Sequence, residues 1–269
     1  MAMKKRPPGG EKKFCVFSHG IVPPGQTTLE TLKAMGRCGR IYTTSLGPEM
    51  FRAYGSLGHR IVRVADDYAA LERTILAALH RWDEVGFLTF GNPVFMHHPL
   101  ERLRARISDK ATVRVFPGVS SFDLLADILY FRSPAAGGVR LVDCASFRKG
   151  PVLTPGTDTL FFNAFFLGSR EHACNARAFQ RGLREAYPAG TQAYLISCTD
   201  NGGAEVLKGC VNCFAKFIRL CRAQHTLLIP SADRESPVEE TADKSRFRPE
   251  PVCRCAGGGN RLEGKKKCL

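Results

Sequence analysis

Three short turns carry the residue types that could hold a small ligand. They are "SHGIVPPG" from Ser18 to Gly25, "GNP" from Gly91 to Pro93 and "PGVSS" from Pro117 to Ser121, and each follows an apolar segment. Glycine lets the backbone approach a ligand closely, and a helix that begins after such a turn offers unpaired N–H groups to a carboxylate or phosphate. The turns therefore indicate either a site for a small anionic ligand, such as a nucleotide, or three tight connections without a ligand.

Alternating strand and helix patterns must position these turns. The run Val85–Phe90 is continuously apolar, which suits a parallel strand covered on both faces. In open α/β sheets, ligands bind beyond the carboxyl ends of the strands. The sequence therefore predicts an α/β fold in which the three turns share one edge of a parallel sheet. The strand candidates of the first half are Phe14–Phe17, Arg40–Thr43, Val85–Phe90 and residues 111–116.

Capping residues predict where the intervening helices begin. Thr27-x-x-Glu30 matches a capping box, and Leu29, Leu32 and Met35 then fall on one helical face. Serine and aspartate are preferred helix caps because their side-chain oxygens accept backbone N–H groups. The later helices are predicted after Asp66 or Asp67, over Pro99–Ser108, and over Phe122–Leu129 with Ser120 or Ser121 as the cap.

The second half predicts a further α/β domain. Its strand candidates are Val139–Asp143, Thr159–Asn163, Ala193–Ser197 and Thr226–Ile229, and its helix candidates are Glu171–Tyr187 and Cys213–Cys221. Beyond residue 230 large apolar residues are few, so this segment cannot bury enough surface to order itself. The predicted organisation is a disordered basic N-terminus (1–13), an N-terminal α/β domain (14–131), a C-terminal α/β domain (132–230) and a disordered tail (231–269).

The amino-acid composition indicates which classes of binding partner to expect. The net charge of +14 favours anionic partners such as a polycarboxylate or an acidic peptide. Nucleic acid is not expected, because no basic run interleaves with aromatic residues. No apolar run approaches the length of a membrane span, and the basic N-terminus lacks the apolar region of a signal peptide. We therefore expect a cytoplasmic protein.

The cysteines and histidines do not predict a metal centre. The eleven cysteines are odd in number and irregular in spacing, which fits thiols in a reducing compartment. Cys210-Val-Asn-Cys213 is a CxxC motif, but no second CxxC lies at the spacing that a four-ligand zinc site needs. His97 and His98 are adjacent, so on a helix they point in different directions and cannot face one metal together.

Longer motifs resemble a known family. A glycine-bearing first turn followed by "TLETL", then "GNPVF", a helix and "FPGVSS" before a short apolar helix, resembles the tetrapyrrole methylases. These are S-adenosylmethionine-dependent methyltransferases of cobalamin and sirohaem synthesis. The similarity is closest to the borosin branch, which N-methylates peptide backbones, and "GGVRLVDCASF", "LFFNAFFLG" and "QHTLLIPS" look like later landmarks of that branch. The resemblance covers roughly residues 14–230.

The resemblance implies two α/β domains of class III methyltransferase architecture, with S-adenosylmethionine in a cleft between them, and a homodimer. Asn92 departs from the pattern where many relatives have aspartate, and Asn163 and Phe165 stand where the borosin branch has glutamine and glycine. The implied cofactor-binding residues are Gly91, Pro93, Val94, Phe95, Ser120 and Ser121 in the first domain, and Asn163 and Tyr194 in the second.

The resemblance also indicates catalytic candidates. Methylation of an amide nitrogen requires that its proton be removed or its carbonyl be polarised, and the borosin branch has tyrosine and arginine for this after its second strand. Here Arg63 and Tyr68 occupy that region, although each also fits a surface arginine or a tyrosine at a helix start. Three functions stay open: methylation of a peptide supplied as a separate chain, methylation of a tetrapyrrole or other small molecule, and non-catalytic binding by a basic protein.

Overall fold

The computed structural model describes residues 11–130, 138–146, 153–169, 173–199, 203–232, 238 and 249–251. The chain divides into two compact units, Met1–Asp123 (unit 1) and Leu124–Leu269 (unit 2). The sequence analysis places its boundary a few residues later, after the helix in which this division falls. Most of the predicted N-terminal segment 1–13 lies outside the described residues.

Unit 1 is built on a parallel five-stranded sheet in the order β3-β2-β4-β1-β5. The parallel sheet with intervening helices confirms the predicted α/β class. Its strands are β1 Lys13–Ser18, β2 Arg40–Thr43, β3 Ile61–Arg63, β4 Glu84–Thr89 and β5 Thr112–Phe116. Its helices are α1 Leu29–Met35, α2 Tyr68–Arg81 and α3 His98–Ile107, with a 3₁₀ segment over Pro48–Arg60, and α4 Ser121–Tyr130 spans the boundary between the units.

The central strands of unit 1 are buried on both faces, as their apolar runs predict. Alternate residues of β1 point to opposite faces of the sheet. Phe14 and Val16 belong to a cluster with residues of α2 and α3, whereas Cys15 and Phe17 belong to a cluster with residues of α1. Two hydrophobic layers thus fix the sheet, and with it the ends of its strands.

The start of α1 differs from the predicted capping box by one residue. The cap is Thr28, whose hydroxyl accepts the Thr31 N–H at 3.1 Å. Thr27 is buried and shares a hydrogen bond with the Tyr54 hydroxyl instead. Leu29, predicted on the buried face, is 75% exposed. A shift of one residue turns the helical face by about 100°, which explains the exposed leucine. At α2, the predicted cap Asp67 is confirmed, with its carboxylate accepting the Ala69 N–H.

Unit 2 holds a mixed six-stranded sheet in the order β11-β9-β8-β10-β7-β6. The β6–β7 and β9–β11 pairs are parallel, and the other neighbours are antiparallel. The strands are β6 Val139–Asp143, β7 Asp158–Phe162, β8 Gln192–Cys198, β9 Ala204–Cys210, β10 His225–Ile229 and β11 Pro249–Pro251, and the helices are α5 Phe165–Gly168, α6 Ala173–Ala186 and α7 Phe214–Phe217.

Three features of unit 2 differ from the sequence prediction. Strand β9 was not predicted, because its alternation is interrupted by the polar residues of "AEVLKGC". The predicted helix Cys213–Cys221 is short α and 3₁₀ turns. In the tail predicted to be disordered, Pro249–Pro251 pairs with β9 as an edge strand, which proline tolerates because an edge needs fewer N–H donors. Most of the remaining tail lies outside the described residues.

No helix in the described part of the chain is long and apolar enough to cross a membrane.

Candidate functional site

The three glycine-bearing turns meet around Ser18, the last residue of β1. The buried Ser18 hydroxyl donates to the Gly91 carbonyl at 2.6 Å and accepts the Gly20 N–H at 2.9 Å. A Cβ atom on Gly118, in the third turn, would lie 2.5 Å from the Ser18 Cβ, so only glycine allows this approach. The prediction that the turns share one edge of the sheet is therefore confirmed. We call this edge, where β1, β4 and β5 end, the carboxyl edge.

The carboxyl edge includes a topological switch point of the sheet. β1 and β4 are neighbours, yet the chain after β1 leads to β2 on one side and the chain after β4 leads to β5 on the other. Ligands of open α/β sheets bind at such a switch point. The turns after these two strands are joined by an isolated bridge between Gly20 and Gly91.

Three N–H groups of the "GNPVF" turn are already used within the protein. The Gly91 N–H donates to the Gly20 carbonyl at 3.0 Å, the Val94 N–H to the Asn92 side-chain oxygen at 3.1 Å, and the Phe95 N–H to the Asn92 carbonyl at 3.0 Å. Pro93 has no N–H to offer. These three N–H groups are therefore not available to an anion, contrary to what the sequence analysis expects of such turns.

The outer face of the same turn carries exposed apolar side chains. Gly91 itself is buried and has φ 61°, and among the described residues a Cβ atom there would meet only Ile21, at 3.8 Å. Phe90 and Val94 are 46% and 52% exposed. Exposed apolar side chains suit the aromatic ring of a ligand such as an adenosyl group better than they suit an anion. The carboxylate of such a ligand would have to be held elsewhere.

Asn92 builds the turn through its side-chain oxygen, in the manner of an Asx-turn. Aspartate offers the same acceptor, so we expect Asn92→Asp to change the free energy of unfolding by less than about 0.5 kcal/mol. Asn92→Ala removes the acceptor of the exposed Val94 N–H and should cost about 0.5–1.5 kcal/mol. Urea unfolding of the three proteins measures this difference. Equal destabilisation by both substitutions would show that the side-chain amide, and not its oxygen, matters.

Ser18 was not predicted as a functional residue, although its hydroxyl ties the turns together. We expect Ser18→Ala to lower the free energy of unfolding by about 1–3 kcal/mol, because it leaves the buried Gly20 N–H and Gly91 carbonyl without this partner. Ser108→Ala is the matched control, since its exposed hydroxyl bonds only to the Ala105 carbonyl in its own helix. Thermal and urea unfolding should separate the two variants. A Ser18 variant as stable as the control would contradict this role.

The "PGVSS" turn ends in a helix cap. The Asp123 carboxylate accepts the Ser120 N–H at 2.6 Å and the Ser120 hydroxyl at 2.7 Å, and the Ser120 hydroxyl lies 3.3 Å from the Asp123 N–H. Ser120 is thereby the cap of α4, one of the two alternatives that the sequence left open. Its hydroxyl is buried and engaged, whereas Ser121 begins the helix and is half-buried. Their roles in cofactor binding stay predictions.

His19 is a buried histidine of the first turn. Its side chain is 2% exposed, and its Nε2 lies 2.8 Å from the hydroxyl of Ser45, which follows β2. The Phe90 ring packs edge-on against it. Burial disfavours the charged imidazolium and lowers the pKa of His19 to about 4. The imidazole is therefore neutral at physiological pH, and it links the turns after β1 and β2.

Tyr68 and His97 form a pair that the sequence did not predict. The Tyr68 hydroxyl lies 3.2 Å from His97 Nε2, and the Tyr68 ring packs edge-on against Phe87 of β4. His97 caps α3, and its Nδ1 accepts the Leu100 N–H at 3.3 Å. The Leu100 N–H, which also donates to the His97 carbonyl at 3.1 Å, can only donate, so its contact with Nδ1 favours the tautomer with the proton on Nε2, directed at the Tyr68 oxygen.

The protonation states of Tyr68 and His97 leave the hydroxyl hydrogen of Tyr68 available for a further hydrogen bond. Burial lowers the pKa of His97 and keeps the imidazole neutral. Burial and the nearby Asp66 carboxylate raise the pKa of Tyr68, so its hydroxyl stays protonated. Because Nε2–H already donates to the Tyr68 oxygen, the tyrosine directs its own hydrogen elsewhere. Tyr68 can therefore donate a hydrogen bond to a bound substrate.

The other predicted site residues are not all brought to this place. Arg63 ends β3 and is exposed, and among the described residues the structure gives it no hydrogen bond or ion pair with Tyr68. In unit 2, Asn163 follows β7 with φ 55° and donates to the Asp143 carboxylate at 2.9 Å. Tyr194 is fully buried in β8, with its hydroxyl donating to Gln192. The roles of these three residues stay predictions.

Comparisons with known proteins place the fold. No protein-family model matches the chain, and a search of curated proteins finds no match. Among solved structures, uroporphyrin-III-C-methyltransferase from Thermus thermophilus is 16% identical, covers 82% of this chain and 93% of its own, and has a TM-score of 0.57. A structure of that enzyme complexed with S-adenyl homocysteine matches at 14% identity, with the same coverage and TM-score.

Two further structures extend the match. The methyltransferase CobJ is 14% identical over 85% of this chain and 98% of its own, with a TM-score of 0.59. Cobalt precorrin-4 methyltransferase CbiF is 16% identical over 83% and 96%, with a TM-score of 0.60. Similarity at this level of identity is evidence about the fold. The chain has the two-unit α/β architecture of the class III S-adenosylmethionine-dependent methyltransferases, as the sequence analysis expects.

Proposed function

We propose that the chain is an S-adenosylmethionine-dependent methyltransferase. The observation that carries this proposal is the meeting of three turns around Ser18 at the carboxyl edge of the unit-1 sheet, beside the exposed side chains of Phe90 and Val94. Motif order in the sequence and the fold of the solved methyltransferases support the same activity. The bound cofactor supplies a methyl group that its sulfonium already activates.

The chain's own residues then have two tasks at this edge. Phe90 and Val94 would hold the adenosyl part, because their apolar side chains are exposed on either side of Gly91. Tyr68 would orient the acceptor through the hydrogen that its hydroxyl directs away from His97. Methyl transfer needs the acceptor atom in line at about 3–3.5 Å, so orientation supplies much of the rate enhancement.

We further propose that the acceptor is a backbone amide of a peptide supplied as a separate chain. An amide nitrogen is a weak nucleophile, and a tyrosine hydroxyl that donates to the amide carbonyl favours the imidate-like form in which the nitrogen attacks. The N–CH₃ bond would form as the S–CH₃ bond of the sulfonium breaks, and the amide N–H proton would pass to water. The raised pKa of Tyr68 suits a donor and not a base. The net charge of +14 favours an acidic peptide.

A tetrapyrrole acceptor is the alternative. The solved structures with this fold include uroporphyrin-III and precorrin-4 methyltransferases, and the basic chain could attract the many carboxylates of a tetrapyrrole as well as an acidic peptide. A carbon acceptor of this kind does not need a polarised amide, so it leaves the Tyr68–His97 pair without a chemical task.

Calorimetry with S-adenosylmethionine and S-adenosylhomocysteine tests the activity class. Saturable binding of both is expected, and no binding at millimolar cofactor would leave the third function, a non-catalytic basic binder. Mass spectrometry of reactions with an acidic peptide library and with uroporphyrinogen III then separates the acceptors. A gain of one methyl on a peptide backbone supports the peptide proposal, whereas methylation of the tetrapyrrole alone overturns it.

A further inference from the structure

We propose that Cys210 and Cys213 form a thiol–disulfide redox site that reacts with a small anionic disulfide of the glutathione type. Their sulfur atoms lie 3.1 Å apart. The proposal is independent of the methyltransferase activity, because it rests on unit 2 alone.

Local backbone geometry brings the two thiols together. Val211–Cys213 is a 3₁₀ turn that follows directly on β9. A 3₁₀ helix has three residues per turn, so side chains at i and i+3 eclipse one another. The Cys210 N–H also donates to the Cys213 sulfur at 3.2 Å, and the Cys213 thiol lies 3.4 Å from the Cys210 carbonyl, so backbone contacts hold that sulfur in place. A disulfide bond is about 2.05 Å long, so the sulfurs need to approach by only about 1 Å.

Burial divides the roles of the two cysteines. Cys213 is partly exposed, whereas Cys210 is fully buried beneath it. An incoming disulfide can therefore reach Cys213 and not Cys210. Lys216 lies in the short helix α7, which follows Cys213, and is exposed. Its positive charge helps to attract an anionic reagent. Cys213 is thus placed as the attacking thiol and Cys210 as the resolving thiol.

The reaction balances as two successive exchanges. The Cys213 thiolate attacks one sulfur of oxidised glutathione, and a glutathione thiolate leaves and takes up a proton. The Cys210 thiolate then attacks the Cys213 sulfur and expels the second glutathione. The protein loses two protons and two electrons, and one glutathione disulfide is reduced to two thiols.

A second close pair in the chain shows why proximity alone is not enough. Cys15 and Cys38 lie near each other and near Glu84 in the core of unit 1. Their side chains are 1% and 0% exposed, and the pKa of Cys38 is raised by its contact with Cys15 and by burial. A glutathione disulfide cannot reach them in the folded protein, so they serve as an internal control.

Differential alkylation of the full chain tests the proposal. The folded protein is incubated with oxidised or reduced glutathione, then denatured, blocked with N-ethylmaleimide while it is unfolded, and digested with trypsin. Cleavage after Lys208 and Lys216 releases "GCVNCFAK", which contains Cys210 and Cys213 and no other cysteine. We expect oxidised glutathione to reduce double alkylation of this peptide at least about tenfold, with the peptide found two hydrogen masses lighter. The Cys15 and Cys38 peptides should not change.

Three cysteine variants test whether Cys213 reacts with glutathione disulfide first and Cys210 second. Cys210→Ser should trap glutathione on Cys213, because the resolving thiol is missing. Cys213→Ser should leave Cys210 unmodified, and Cys198→Ser, a partly exposed cysteine of β8, should behave as the parent does. Circular dichroism confirms folding of each protein. A parent peptide that stays doubly alkylated, or that keeps glutathione on Cys213, would overturn the proposal.

Discussion

Replacement of Tyr68 by phenylalanine is expected to lower kcat for methylation of a peptide amide by about 10²–10³-fold, the range found when one hydrogen-bond donor to the developing oxyanion is removed. The substitution removes only the hydroxyl that meets His97 at 3.2 Å. The ring remains, and with it the edge-on contact with Phe87, so cofactor affinity and the unfolding midpoint should stay close to those of the parent. Single-turnover kinetics with saturating S-adenosylmethionine measures the effect.

Tyr42→Phe is the matched control for this experiment. Tyr42 is a half-buried tyrosine of β2 whose pKa is also raised by burial, and it packs against the same hydrophobic cluster as Tyr68. Its hydroxyl has no hydrogen bond among the residues that the structure describes. We expect kcat to change less than about twofold in the control. Equal losses of kcat in both variants, or no loss in Tyr68→Phe, would show that the Tyr68 hydroxyl takes no part in the reaction.

The fold was predictable because its signals are local and periodic. The apolar run at β4 and the aspartate cap of α2 are properties of a few neighbouring residues, and the structure confirms both. The capping box was wrong by one residue because Thr27 and Thr28 are adjacent and equally suited to the role. The choice between them is made by Tyr54, a buried side chain that is distant in sequence.

The candidate site was predictable in its turns but not in its contacts. Glycine and proline mark turns in any sequence, so the approximate place of the site followed from the pattern. The joining of the turns by Ser18, and the meeting of Tyr68 with His97, depend on residues that lie 73 and 29 positions apart. No local rule relates such pairs. The sequence analysis did not expect His97 to bind a metal and gave it no other role. Its contact with Tyr68 forms only when α2 and α3 are packed together.

Acidification should destabilise the folded chain through His19. The pKa of His19 is about 4 when folded, because burial disfavours the charged ring, and about 6.5 when unfolded. Between these values the unfolded state binds more protons, so stability falls as pH falls. A pKa shift of this size contributes about 3 kcal/mol to the free energy of unfolding. This contribution is fully present above pH 6.5 and is lost by about pH 4. Urea unfolding at several pH values measures the loss.

Comparison with His19→Gln isolates this contribution from the other titrating groups. Glutamine can still bond to the Ser45 hydroxyl but does not titrate. His97 and His225, whose pKa values are also lowered by burial, are present in both proteins, so their contributions cancel in the difference. The variant should lose less stability than the parent between pH 7 and pH 4.5, by up to about 1.4 kcal/mol per pH unit. If the free energies of unfolding of the two proteins fall in parallel with pH, His19 is protonated equally in the folded and unfolded states. Its ring nitrogens would then be accessible to water in the folded protein.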